Sequence, residues 1–224
     1  MISWDDYWKK YKISKAERWL IRERDKILNT FIDKILSANK KVIEIGCGYG
    51  SNITLINETR SDVECYALDN SQASIDLVKE RIPNSIIADC RETNFPDNTF
   101  DIVYSAGLME HFEDEKPLLD EWKRILKPNG YMLTFIPAKY SLWQFYQLLH
   151  FGKWKHGYEK AYTHKKLLKL FEKNNFEIIE VLGIDPFSIN GFFMKLFNIS
   201  FKPFFKKSCS KSGYTELCII VKKN

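Results

Sequence analysis

Glu44, Gly46, Gly48 and Gly50 crowd into seven residues at the end of a short apolar run, and Asp69 closes the next such run 23 residues after Gly46. Glycines this close together serve a backbone that must turn tightly and let a ligand approach nearer than a Cβ allows. A carboxylate ending the following strand can accept both hydroxyls of a ribose, as in dinucleotide-binding folds. The spacing, however, is GxGxG, because Ser51 takes the place of the last glycine of GxGxxG. Glu44 also stands beside where a pyrophosphate would have to lie, and a buried carboxylate repels phosphate but suits a cation. These residues favour a nucleoside with a positively charged tail over NAD. The plainer alternatives are a tight strand-to-helix turn and, for Glu44, a bond to a backbone N–H at the helix start.

The elements that must hold these groups follow from hydrophobic spacing. Ala16, Trp19, Leu20, Ile27, Leu28, Phe31, Ile35 and Leu36 recur near the helical period over residues 14–37. Short apolar runs come next, at 41–45, 64–68, 85–88, 100–104 and 131–136, with helical stretches between them at 51–57, 71–81 and 115–126. Lys127-Pro128-Asn129-Gly130 reads as the stop of the last of these helices. Thr163 is placed to cap a helix running through Asn174, and strands follow at 176–181 and 216–221. Strands alternating with helices imply right-handed crossovers and a parallel sheet. The expected fold is α/β: an open, doubly wound, mostly parallel seven-stranded sheet with N-terminal helices and aromatic lid insertions. We expect one domain over 1–224, comprising a helical cover at 1–37, a cofactor-binding core at 41–136, and lids at 138–162 and 185–213.

S-adenosylmethionine, with its sulfonium and amino group, fits the ligand described above, and here the sequence resembles a known family. Val42-Ile43-Glu44-Ile45-Gly46-Cys47-Gly48-Tyr49-Gly50 is similar to the first motif of the class I S-adenosylmethionine-dependent methyltransferases of the small-molecule type 11 branch. Asp69-Asn70-Ser71 resembles the ribose-binding acid and its neighbours, and Ala88-Asp89-Cys90 the adenine-binding motif after strand three. Phe95 to Val103, Leu108-Met109-Glu110-His111 and Leu126 to Tyr131 resemble the approach to strand four, the signature after it and the turn before strand five. The resemblance implies a Rossmann-like methyltransferase fold, S-adenosylmethionine as cofactor, and transfer of its methyl group to a small, apolar or lipid-like acceptor. It implies cofactor contacts from Glu44, Gly46, Cys47, Gly48, Gly50, Asn52, Asp69, Asn70, Ser71, Asp89, Cys90, Ser105 and Ala106. The chain departs from the pattern after strand four, where Ser105-Ala106-Gly107-Leu108 lacks the usual Asn, so that backbone contacts replace a side chain. It also lacks the Asn/Asp-Pro-Pro-Tyr of enzymes that methylate nucleobase amines, and the paired glutamates of protein-arginine methyltransferases.

Displacement at an already activated methyl carbon needs chiefly positioning, worth about 7–11 kcal/mol in favourable cases. A general base adds roughly 10²–10⁴-fold when the acceptor must lose a proton. No conspicuous catalytic dyad is therefore required. His111, after strand four on the carboxyl edge, is the candidate base; orienting the loop or packing on the cofactor is its alternative role. His164, just after Thr163, reads as a solvated first-turn residue.

Composition locates the substrate side. The 224 residues carry a net charge of +5 and 33 aromatics, yet segments 138–158 and 186–215 contain no acid, hold 15 of those aromatics and sum to +8. Tyr140, Trp143 and His150 lie in the first segment and are candidate substrate contacts, as is Tyr7, which with Trp4, Trp8 and Tyr11 could close over the site from the N-terminus. Phe192–Lys207 mixes Phe and Lys as an interfacial membrane segment would, although Pro203 interrupts a helix there. A hydrophobic cover with lysines reaching solvent is the alternative for both segments. The mild net charge argues against DNA as a partner and disfavours RNA. Two functional alternatives are weighed against the enzyme: a non-catalytic protein that keeps the fold, and an RNA-modifying methyltransferase. Five cysteines without a CxxC pair argue against zinc and against a disulfide framework. An acidic N-terminus and the lack of a long apolar run point to a soluble, cytoplasmic protein.

Overall fold

In the computed structural model, residues 3–35, 40–139, 141, 159–184 and 214–224 are described. The first strand, β1 (Lys40–Ile45), is buried from Val42 onward on both faces, as expected of a central strand in a parallel sheet. Its partners are β2 (Val63–Asp69) and β4 (Phe100–Ala106), both parallel to it. The edge beyond β2 is the short β3 (Ser85–Ile87). On the other side come β5 (Leu126–Pro137), then β7 (Glu216–Lys223), then β6 (Phe176–Ile184). The sheet therefore has seven strands in the order β3-β2-β1-β4-β5-β7-β6, with β7 antiparallel to both neighbours. The doubly wound, mostly parallel seven-stranded sheet expected from the sequence is what the chain forms.

Alternation along β1 sends Val42 to one core and Ile43 and Ile45 to the other. Against the first pack Leu28 and Ile32 of α2 (Lys15–Ile35), Ile53 and Ile56 of α3 (Ser51–Thr59), and Ile75 and Val78 of α4 (Gln72–Val78). Against the second pack Leu118 and Trp122 of α5 (Lys116–Ile125), with Leu167 and Phe171 of α6 (His164–Lys173). A short N-terminal helix, α1 (Trp4–Lys9), precedes them. Thr163 caps α6 as its position predicts, its Oγ1 accepting from Lys166 N at 3.1 Å.

The Lys127–Gly130 stop signal acts differently from expectation. Helix α5 already ends at Ile125, and the four residues form an irregularity inside β5, which pairs with β4 at Leu126 and again only at Tyr131. Pro128 cannot donate to the ladder, and Asn129 takes a left-handed φ of 62°. The same residues that end a helix thus make a strand bulge. No helix among the described residues is long and apolar enough to cross a membrane.

Candidate functional site

Strand β1 runs straight into the glycine turn, and Gly46 and Gly48 there have φ of +68° and +52°. Both need to be glycine for space as well as for backbone. A Cβ at Gly46 would stand 2.8 Å from Leu108 Cδ2, and one at Gly48 2.4 Å from the Trp8 ring. The turn is tied to β2 by Gly46 N and Cys47 N, which both donate to Leu68 O, at 2.8 and 3.0 Å. Gly48 N donates to Asp69 Oδ2 at 2.8 Å, and Ser71 N to Asp69 Oδ1 at 3.0 Å. Ser74 Oγ donates to Gly48 O at 2.6 Å. Burial pushes the Asp69 carboxyl up while these bonds oppose the shift. The Ser74 hydroxyl and the Asn70 amide also favour its charged form.

Glu44 lies at 3% exposure under this turn, and its Oε2 accepts from Ile53 N in the first turn of α3 at 3.2 Å. Desolvation pushes it up to about 8, against the Tyr104 hydroxyl and the Ile53 amide, which favour its charged form. The Tyr104 hydroxyl faces Glu44 without a well-directed hydrogen bond of its own. Glu44 thus holds the start of α3, the plainer of the two roles read from the sequence, and it does not itself line the cleft described below.

Helix α1 lies over the opening. Asp5 Oδ1 accepts from Ser71 Oγ at 2.5 Å and from Ala73 N at 3.2 Å, which pins α1 to the start of α4. Trp4 then meets His111 edge-on at 5.1 Å and Tyr7 at 5.6 Å. The cleft so formed encloses about 550 Å³, part of it open to solvent.

Among the residues anticipated from the sequence, Gly46, Asp69, Asn70, Cys90 and His111 line this cleft. Tyr7 stands behind Trp4. Gly50 packs on Val78, and Cys47 turns its thiol to Ser74 at 3.7 Å. Ser71 spends its groups on Asp69 and Asp5. Other side chains point elsewhere: Asn52 donates to Asp25 at 2.5 Å and to Ile21 O, and Ser105 pairs with Thr134. Asp89 is engaged by Arg91 through Nε and Nη2 at 2.9 and 2.6 Å, while its neighbours Ala88 and Cys90 line the cleft. Ala106 ends β4 beside Gly107, a lining residue. Tyr140, Trp143, His150 and Phe192–Lys207 lie outside the described residues. Trp4 and Trp8 are the walls that α1 supplies; their i, i+4 spacing was the signal for them. Leu108 fell within the signature after strand four, while Phe112 and the buried pair of Arg24 with Glu216 had no signal.

Two observations fit S-adenosylmethionine: a buried acid at a strand end tied to a left-handed glycine turn, and a second buried acid suited to a cation. Among the described residues no group of His, Cys, Asp and Glu could hold a metal ion. Residues 43–134 match a family described as Methyltransferase domain. The chain is 34% identical over 113 residues to phosphoethanolamine N-methyltransferase 1 of Triticum aestivum, covering 46% of this chain and 22% of that protein. It thus spans about a fifth of the length of this plant relative. Phosphoethanolamine N-methyltransferase 2 of Haemonchus contortus, solved with S-adenosyl-L-methionine, superimposes with a TM-score of 0.66 at 14% identity, covering 100% of this chain and 60% of that one. Geranyl diphosphate C-methyltransferase of Streptomyces coelicolor gives 0.63 at 14% identity, covering 89% and 76%. Both share the fold.

Proposed function

We propose that this chain, whose residues 43–134 match the methyltransferase-domain family, is an S-adenosylmethionine-dependent methyltransferase acting on a small molecule. The observation that carries the reading is the bond from Gly48 N to Asp69 Oδ2, which locks a left-handed glycine turn to a ribose-type acid. When bound, the cofactor supplies an activated methyl group, which passes to an acceptor lone pair while the C–S electron pair returns to sulfur. The chain's own residues do the positioning. Gly46 and Gly48 give the turn its left-handed backbone, Glu44 lies beneath it where a cationic end would draw the carboxyl into its charged form, and Asp69 takes the ribose hydroxyls. Cys90, Leu108 and Phe112 furnish the apolar walls. Trp4 and Trp8 keep water out, which strengthens every electrostatic contact inside. His111 is placed at the cleft wall to take a proton from an O–H or N–H acceptor.

The acid-free, aromatic composition of segments 138–158 and 186–215 suits a partly apolar acceptor. Phe192–Lys207 adds a peripheral contact to anionic lipid in this reading, and co-sedimentation with anionic vesicles at low salt tests it. The four described cysteines are free thiols, which agrees with a reducing cytoplasm.

Calorimetric titration with S-adenosylmethionine and S-adenosylhomocysteine tests the main reading. Folded protein that binds neither would overturn it. A screen of acceptors with radiolabelled cofactor then identifies the methylated atom.

A further inference from the structure

We propose that Glu110 is the counter-ion for a positively charged nitrogen on the acceptor, which makes the acceptor an ammonium-bearing small molecule. The inference deepens the methyltransferase reading and rests on it. Glu110 sits in the single 3₁₀ turn Met109–His111 that follows β4, 3% exposed, and its Oε2 has no hydrogen-bond partner. A buried polar atom left unpaired is costly, and such atoms in native structures call for a ligand or a function.

Gly107, two residues before the turn, and His111, its last residue, both line the cleft. A Cβ at Gly107 would stand 3.7 Å from Glu110 Oε1 and 4.0 Å from Arg24 Nη2. Glu110 therefore lies directly behind a stretch of wall that carries no side chain.

Its charged surroundings are dominated by acids. Glu216 and Glu159 both face Glu110, and Arg24 is the cation that does so. Arg24 is already committed, its Nε and Nη2 donating to Glu216 at 2.9 and 2.5 Å. Lys160 is committed too: its backbone N–H goes to Glu110 O at 3.0 Å, while its Nζ pairs with Glu115 at 2.6 Å. No cation of the chain is thus left over for Glu110 among the described residues. Burial, with the neighbouring acids, pushes its carboxyl up to about 8, so in the free protein a proton supplies the missing charge.

A phosphate or carboxylate entering here would face Glu110, Glu159 and Glu216 together. An ammonium would replace the proton. Trp4, on the same cleft wall and edge-on to His111, offers the aromatic ring that methylated ammonium groups favour.

The test uses the full chain loaded with S-adenosylhomocysteine. The probe is choline, whose charge is permanent, compared with its neutral tert-butyl isostere. Wild-type protein is expected to bind choline about tenfold or more tighter than the isostere. It is also expected to release a proton at pH 7, read by calorimetry in buffers of different ionisation enthalpy. Glu110→Gln should erase the preference and the proton release and leave affinity for S-adenosylhomocysteine within about twofold. Three results would overturn the inference: no preference for choline in the wild type, no proton release on binding it, or a preference that survives Glu110→Gln. A parallel loss of S-adenosylhomocysteine affinity in Glu110→Gln would also overturn it, by assigning the carboxyl to the cofactor's own amino group. If Glu110→Gln does not fold, the wild-type proton release decides alone. Wild-type protein that fails to bind S-adenosylhomocysteine refutes the methyltransferase reading itself, a result distinct from all of these.

Discussion

Asp69 accepts two backbone N–H bonds, at 2.8 and 3.0 Å, whereas Glu110, one loop away at the same edge of the sheet, leaves Oε2 without any partner. Both carboxyls are buried, and burial raises both. The difference lies in what the fold itself supplies. Around Asp69 the chain provides the donors, so the cofactor side of the cleft is shaped before any ligand arrives. Around Glu110 the chain provides acids and a single Arg that is already paired, so the other side stays electrostatically unfinished. A finished half and an unfinished half are what an enzyme needs when one ligand is common to many relatives and the other is its own.

The sharpest way to break this contrast is to unbalance the unfinished half further. Arg24→Ala leaves Glu216 buried beside Glu110 with no cation, and breaking a buried pair in this way costs about 3–5 kcal/mol. Chemical denaturation should show that loss. A change under about 1 kcal/mol would mean that the pair is better solvated than its burial implies. On the finished half, Asp69→Ala removes the acceptor proposed for two ribose hydroxyls and strands Gly48 N. At about 1.5 kcal/mol for each bond to a charged group, affinity for S-adenosylhomocysteine should fall by more than about 10²-fold, measured by calorimetry.

The pH dependence of stability comes next in size. Glu44 and Glu110 are each raised from 4.5 to about 8 in the folded chain. Between those values the unfolded chain has released protons that the folded chain still holds, so their contribution to stability is full below about pH 4.5 and declines as pH rises to about 8. Thermal midpoints should fall across that window, and Glu110→Gln should flatten the fall. Saturating S-adenosylhomocysteine should remove the part due to Glu44 and leave the part due to Glu110. The smallest effect is expected from Asp5→Ala, which frees α1 from Ser71 and Ala73. Losing those two bonds should weaken S-adenosylhomocysteine slightly, measured by calorimetry, and alter the fluorescence of Trp4 and Trp8.

The finished half is also the half that could be read from the sequence. Gly48 and Asp69 are 21 residues apart, and the constraint between them is a backbone one that only a few residue types satisfy. The strand pattern that carries them was readable for the same reason, since Val42, Ile43 and Ile45 form a run too apolar for any exposed place. The unfinished half depends on pairs with no local signature. Arg24 and Glu216 are 192 residues apart, and Asp5 reaches Ser71 across 66. An Arg in an amphipathic helix and a Glu at a strand start look like surface residues until the sheet order brings them together. Lys127–Gly130 shows a different limit. Pro, Asn and Gly signal that regular structure stops, and whether a helix ends or a strand bulges there depends on the neighbouring strand.

The placement of β7 bears on how this protein is made. In the chain β7 follows β6, but in the sheet it lies between β5 and β6, and β6 has β7 as its neighbour. A chain leaving the ribosome can pair β1 through β5 in the order of synthesis, whereas β6 emerges with nothing to bond to. Only when residues 216–223 are released does the antiparallel half form, and the same event delivers Glu216 to Arg24. Until then the nascent protein carries an open strand edge and a buried-to-be arginine, the kind of exposed surface that invites misassembly or a chaperone. The cofactor cradle, by contrast, has every strand it needs more than a hundred residues earlier.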